Sequence, residues 1–199
     1  MPDLEKLLRE IGEGGVFRTS DLEALGMSRA EAQRLVERGE AEQLSHGLYR
    51  LADGEITEHI GLVAVQKKIP DGIICLLSAL QFHEIGTQLP REIWIAIDRK
   101  AHKPKPPGFP IRIVRFSGVN AWYGVETHEL LGVPVKITSI ARTVVDCFRY
   151  RNKIGIDVAL EALKDVLARR LATRDEIMRT ATECRAKTVI RPYLEGMSA

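Results

Sequence analysis

The sequence predicts an α+β protein: an N-terminal unit of three short helices and a two-stranded ribbon, then a mixed α/β region in which helices flank a small sheet. Three observations carry this prediction. Helical spacing fills the first forty residues, strand-like alternation dominates residues 93–137, and the helical period returns from Thr138 onward. The chain has 199 residues, 45% hydrophobic and 28% charged, with 16 Gly and 9 Pro, a globular balance that excludes disorder, collagen and coiled coil as the main architecture. At roughly 100 to 200 residues per domain, this length suits one large domain or two small ones.

Leu4, Leu7, Leu8 and Ile11 recur at i, i+3, i+4 and i+7, which predicts a helix over residues 3–11 stopped by Gly12, Gly14 and Gly15. Ser20 is a candidate N-cap for a short second helix, with Glu23 in the capping-box position and Gly26 as the stop. Ser28 repeats the pattern with Glu31, ahead of Ala32, Leu35 and Val36, and Gly39 closes this third helix. The segment EQLSHGLYRLA then alternates around His46-Gly47, as a ribbon turning at the glycine would. Helix, helix-turn-helix and ribbon is the order of a winged helix, here over residues 1–53.

Asp53-Gly54 marks the start of a second domain, residues 54–199. Thr57 can cap a helix carrying Ile60, Val63, Ala64 and Ile69, ended by Pro70-Asp71-Gly72. Residues 73–86 keep helical spacing through Leu76, Leu77, Leu80 and Ile85 and are assigned to a helix. Strands follow at residues 93–97, 111–116, 125–131 and 135–137, expected to form one small sheet. The prolines of Lys103-Pro104-Lys105-Pro106-Pro107 cannot donate to a ladder, so this stretch is an exposed loop. Ile140, Val144, Val145 and Phe148 form one helical stripe, and Val158, Leu160, Leu163, Val166, Leu167 and Leu171 form another. Thr173 and Glu176 form a capping box for a helix over residues 174–184, and a last short helix covers residues 188–194 despite Pro192.

No apolar run exceeds the five residues of 73–77, far short of the roughly 18 residues a membrane-spanning helix needs. Residues 1–15 hold acids where a secretory leader would be basic, so neither membrane insertion nor export is expected and a cytoplasmic location is. Cys75, Cys147 and Cys184 are an odd number without C-x-x-C spacing and read as buried free thiols.

The net charge of +2 predicts no particular partner, but its distribution is uneven. Seven basic residues face ten acids over residues 1–52, so the positive excess is downstream. It is densest over residues 98–118, where Arg99, Lys100, Lys103, Lys105, Arg112 and Arg115 face only Asp98 and would attract a polyanion. Since 112 and 115 differ in parity, their side chains belong to opposite faces of a strand.

The second helix of a helix-turn-helix lies in the major groove, and with Leu35 in the core its outward residues are Arg29, Ala30, Gln33, Arg34 and Glu37. Arg pairs bidentately with guanine and Gln with adenine, each worth about 1–3 kcal/mol of discrimination. Ser28, Arg29, Gln33, Arg34 and Arg38 are therefore candidate DNA contacts. His46, Tyr49 and Arg50 on the ribbon are candidates for the flanking backbone or minor groove, and Arg99, Lys100, Lys103 and Lys105 for further phosphates. The acids of the same module equally suit a winged helix that contacts protein and no DNA.

A third class is a Mg²⁺-dependent restriction-type nuclease, because Pro70-Asp71 and Asp98-Arg99-Lys100 match the spacing of two carboxylates and a lysine. Asp71 stands in a turn instead of on a strand, which weakens the match. The five histidines lack zinc spacing, Ser78 lacks nucleophile-elbow flanks, and Gly12 to Gly15 lack the lysine of a phosphate loop. No catalytic residue, cofactor or metal is assigned. Arg142 and Asp146, four apart, suit an ordinary intrahelical pair worth a few tenths of a kcal/mol, while the apolar neighbours Val144, Val145 and Phe148 also suit a buried orienting role for Asp146.

The segments LSHGLYRLA, CLLSALQFHEIGTQLPREIWIAI, GVPVKITSIARTVVDCFRYRNKIG and IRPYLE, in this order, resemble the AbiEi-type antitoxins and transcriptional regulators of bacterial type IV toxin–antitoxin systems, which act in abortive infection. The resemblance implies an N-terminal winged helix that represses its own operon by binding double-stranded inverted repeats. It also implies a C-terminal domain that counteracts a nucleotidyltransferase-like toxin without a stable complex. Arg29, Gln33 and Arg34 would then lie on the recognition helix, and residues 142–146 in the antitoxin core.

Overall fold

The computed structural model describes residues 11, 15–54, 58–104, 108–118 and 121–197. Of the helix expected over residues 3–11, only Ile11 is described, helical and buried; the Thr57 cap and Lys105 lie outside the described residues. Contacts divide the chain into two units. The first comprises Met1–Asp71, Lys103–Ile111 and His128–Val135; the second comprises Gly72–His102, Arg112–Thr127 and Lys136–Ala199.

In the first unit, β1 (Val16–Arg18) leads into α1 (Thr19–Ala24) and α2 (Arg29–Glu37), and β2 (Ala41–Ser45) and β3 (Leu48–Leu51) form the ribbon. The ribbon turns at His46-Gly47, where Gly47 has φ +70°, a left-handed conformation that glycine adopts without a Cβ clash. α3 (Ile60–Lys68) closes the unit. Phe17, Leu22, Ala32, Leu35, Ala41, Tyr49 and Leu51 form its core, with Leu25, Met27 and Val36 packed against them.

The sheet order is β1-β3-β2, both pairings antiparallel. β1 was not expected from the sequence, because three residues are too few to display alternation. Its place changes the ribbon: β3 becomes a central strand, and all four of its residues are buried. α1 also begins earlier than the expected Ser20 cap. The Arg18 N–H donates to Asp21 Oδ2 at 2.9 Å, so a carboxylate in the first turn, not a serine hydroxyl, closes the helix start.

The second sheet has the order β6-β5-β4-β8-β7, from β4 (Ile73–Ile74), β5 (Ile93–Asp98), β6 (Ile111–Phe116), β7 (Val125–Leu130) and β8 (Val133–Thr138). Residues 73–86 are therefore not one helix. Ile73 and Ile74 pair antiparallel with β5, Ile74 also pairs parallel with Ile137 of β8, and only then does α4 (Leu76–Phe82) begin. A two-residue strand buried on both faces carries no period, so the helical spacing of the following leucines masked it.

Within the second unit, α5 (Ile140–Arg149) is followed by α6 (Arg151–Ile154), α7 (Ile156–Ala168), α8 (Arg174–Glu183) and α9 (Lys187–Gly196). The Thr173 hydroxyl accepts from the Glu176 N–H at 3.2 Å while Glu176 Oε2 accepts from the Thr173 N–H at 2.7 Å, the reciprocal cap the sequence predicts. Cys75 and Cys147 are free and fully buried, and burial pushes the Cys75 thiol well above, and the Cys147 thiol above, the ordinary value, so both are neutral apolar fillers.

α5 carries an unusual core feature. Arg142 is 1% exposed and Asp146 0%, and the Arg142 Nε donates to Asp146 Oδ2 at 2.7 Å. The pair is thus not the weak surface contact that i,i+4 spacing alone suggests. The same guanidinium donates to the Ala121 and Tyr123 carbonyls and stands 4.6 Å over the Phe116 ring, while Arg149 donates to Asp146 Oδ1 at 3.1 Å. Removing one member of a buried pair leaves an uncompensated charge. Asp146→Ala should lower the urea-unfolding free energy by about 3–5 kcal/mol, whereas Arg142→Met combined with Asp146→Leu should recover most of the loss.

Candidate nucleic-acid interface

Ala32 and Leu35 are buried at 0% and 1% exposure and fix one side of α2 in the core of the first unit. On the other side Arg29, Ala30, Gln33, Arg34 and Glu37 are all exposed, with the Arg29 side chain 76% and the Arg34 side chain 64% accessible. Ser28 precedes the helix as its cap residue and is exposed, and Arg38 follows it. Gly39 then adopts φ +73°, ending the helix where the sequence places its stop.

Each long polar side chain of this face touches a carboxylate of the same unit. Arg29 Nε donates to Glu23 Oε1 at 2.5 Å, Gln33 Nε2 to Glu37 Oε1 at 3.5 Å, and Arg34 to Glu31 Oε2 at 2.9 Å. Arg38 lies 3.2 Å from Glu40 and 3.8 Å from Glu31. Glu31 itself is buried, so the two arginines compensate a desolvated carboxylate, whereas the Arg29–Glu23 pair is exposed. Exposed pairs of this kind are worth about 0–1 kcal/mol and weaken with salt, so phosphate or base oxygens can displace them at little cost.

The ribbon supplies fewer contacts than the sequence suggests. His46 is exposed at the turn, and its carbonyl accepts from the Lys68 ammonium of α3. Tyr49, in contrast, is buried and stacks on Phe17 with ring centroids 5.5 Å apart. Arg50 is buried and donates to Glu42 at 2.8 Å. Because β3 is central and covered on both faces, neither side chain belongs to the exposed surface. Lys68 carries no local sequence signal of this contact, because it ends a helix whose other residues are mostly buried.

The downstream basic residues divide between the units. Arg99 and Lys100 occupy the exposed turn after β5 in the second unit. The guanidinium of Arg115 donates to the carbonyls of Asp98, Arg99 and Ala101 at 3.1, 2.8 and 2.8 Å, so it fixes the shape of this turn instead of projecting freely. Arg112 donates to Glu92 at 2.7 Å and lies 5.6 Å over the Trp94 ring. Lys103 is exposed and belongs to the first unit, in whose segment Gly108 meets the ribbon: a Cβ there would fall 2.6 Å from Ser45 Cβ.

For the nuclease reading, Asp71 lies in an exposed turn of the first unit and Asp98 ends a strand of the second, where its Oδ1 accepts from the Lys100 N–H at 2.7 Å. Among the described residues, no group of three or more His, Cys, Asp or Glu side chains is placed to hold a metal ion. Among them also, no helix is long and apolar enough to cross a membrane.

Residues 5–52 match the family model described as "Transcriptional regulator, AbiEi antitoxin". The match spans α1, α2 and the ribbon and stops before α3. No curated protein matches the chain.

The support beneath this face titrates. Asp21 accepts from the Arg18 N–H at 2.9 Å and from Lys67 of α3 at 3.2 Å. Burial works to raise its pKa, but these donors outweigh burial and hold the carboxyl below the ordinary 3.8. A carboxyl depressed by folding stabilises the folded state above its unfolded pKa and loses that contribution as pH falls through the folded value. Asp21→Asn should therefore flatten the pH dependence of thermal stability below pH 3.8 and leave its slope near neutrality unchanged, as measured by circular-dichroism melts.

Proposed function

We propose that this chain is a DNA-binding transcriptional repressor and the antitoxin of a type IV toxin–antitoxin system, autoregulating its own operon from the cytoplasm and having no enzymatic role. In this reading residues 1–53 are the winged helix that binds operator DNA. Residues 54–199 carry the antitoxin activity against a nucleotidyltransferase-like toxin, without a stable complex. The observation that supports it best is the exposed Arg29–Gln33–Arg34 face of α2, within the segment matched by the regulator family.

Recognition would proceed by exchange. Arg29 leaves Glu23 and Gln33 leaves Glu37 to engage base edges, Ser28 and Arg38 meet phosphates at either end of the helix, and His46 and Lys68 at the ribbon turn meet the flanking backbone. Lys103, Arg99 and Lys100 add phosphate contacts. Glu23 and Glu37 stay nearby and repel phosphate wherever the bases do not supply the right acceptors, which favours specificity over raw affinity.

The same carboxylates support a second reading, a winged helix that binds a protein partner. Fluorescence anisotropy with a palindromic fragment from upstream of the gene separates the two. The repressor reading expects binding that falls steeply with salt, a loss of about 1–3 kcal/mol for Arg29→Ala, and tighter, less selective binding for Glu23→Gln. Equal binding to the palindrome and to random DNA would remove it.

A further inference from the structure

Within the second unit, a cavity of about 180 Å³ is lined by Ser117, Gly118, Arg142, Arg149, Glu183 and Arg185 among others. We propose that this cavity is a binding site for a phosphate group, carried by a small phosphate-bearing ligand and gripped by the guanidiniums of Arg149 and Arg185. The proposal does not depend on the DNA-binding reading, because every lining residue lies in the second unit.

Charge is the first argument. Three arginines line the wall, whereas two carboxylates oppose them among the described residues, Glu183 on the wall and Asp146, which pairs with Arg142 and Arg149. The balance around the cavity is therefore positive, and the surrounding apolar core of Phe116, Phe148 and Cys147 strengthens its field on anything that enters. An anion is the ligand this balance favours.

Order is the second. Asp146 spends one oxygen on Arg142 Nε at 2.7 Å and the other on Arg149 at 3.1 Å, so both guanidiniums are held in place before any ligand arrives. Arg142 is further fixed by the Ala121 and Tyr123 carbonyls and the Phe116 ring. Ordering long side chains is a main cost of binding, and here the fold has already met it. Arg149 remains 29% exposed despite its anchor, which leaves part of its fork open to solvent. Arginine forks match the planar spacing of phosphate oxygens.

Size and backbone are the third. The volume is below the roughly 300–1,000 Å³ of sites for drug-sized molecules, and it suits a phosphate group with the rest of its bearer outside. Gly118 stands at φ +95° with open space where a Cβ would be, and Ser117 beside it is exposed with a hydroxyl able to donate. Arg185 also takes a left-handed conformation, φ +55°, as α8 ends, which holds its backbone at the cavity wall.

Orthophosphate and adenosine monophosphate, each titrated into the full chain at constant ionic strength with chloride as the control anion, test the site by thermal shift and ³¹P NMR. Both should raise Tm progressively, with Kd at or below about 10 mM. Equal affinities would assign recognition to the phosphate alone, and tighter binding of the nucleotide would assign it to a phosphomonoester. Arg185→Gln changes an exposed side chain and should keep the unliganded Tm while weakening both ligands about tenfold; Arg149→Gln should weaken them at least as much. No shift beyond chloride in the wild-type chain, or unchanged affinity in both variants, would overturn the proposal.

Discussion

Helix α2 has two sides with opposite obligations, and the proposed interface depends on keeping them apart. Ala32 and Leu35 are locked against Leu22, Phe17 and Tyr49, which removes the helix's freedom to roll. Arg29, Gln33 and Arg34, about 90° or more around the axis from the middle of that stripe, are thereby held in solvent. A face that can enter a groove needs this rigidity, because the ordering of the helix is then supplied by the core and not by the partner.

The electrostatics of the first unit are self-compensated instead of uniformly basic. Glu23, Glu31, Glu37 and Glu40 each sit within reach of a cation or amide on α2 or just after it, so the acids around the helix do not make it an acidic surface. The pairs are not equivalent. Glu31 is buried and keeps Arg34 and Arg38 tied to the fold, while Glu23 is solvent-exposed and releases Arg29 more readily. Arg29 is thus the side chain best placed to change partners. The second unit uses charge differently: there Asp146 binds two arginines in a dry core, and their rigidity, not their mobility, is the useful property.

The sequence displayed most of these elements because their signals are local. Ser28, Gly39 and the apolar spacing of Ala32 and Leu35 delimit α2, and Thr173 with Glu176 delimits α8. What it concealed was set by distant pairing. β1 and β4 are three and two residues long and exist as strands only because β3, β5 and β8 lie beside them. The burial of Tyr49 and Arg50 is hidden in the same way, since Tyr49 packs on Phe17 of β1 and Arg50 bonds Glu42 of β2, contacts that local spacing does not display. The cavity of the second unit was equally hidden, because Arg149 and Arg185 are far apart in sequence and meet only through the packing of α5 and α8.

Backbone amide shifts of the isotope-labelled chain, followed while DNA from upstream of its gene is added, show which surface meets the duplex. The largest changes are expected at Ser28, Arg29, Gln33, Arg34 and Arg38 and at the His46-Gly47 turn, with the buried Leu35 and Tyr49 little affected. Large changes elsewhere with residues 28–38 unmoved would contradict the proposed interface.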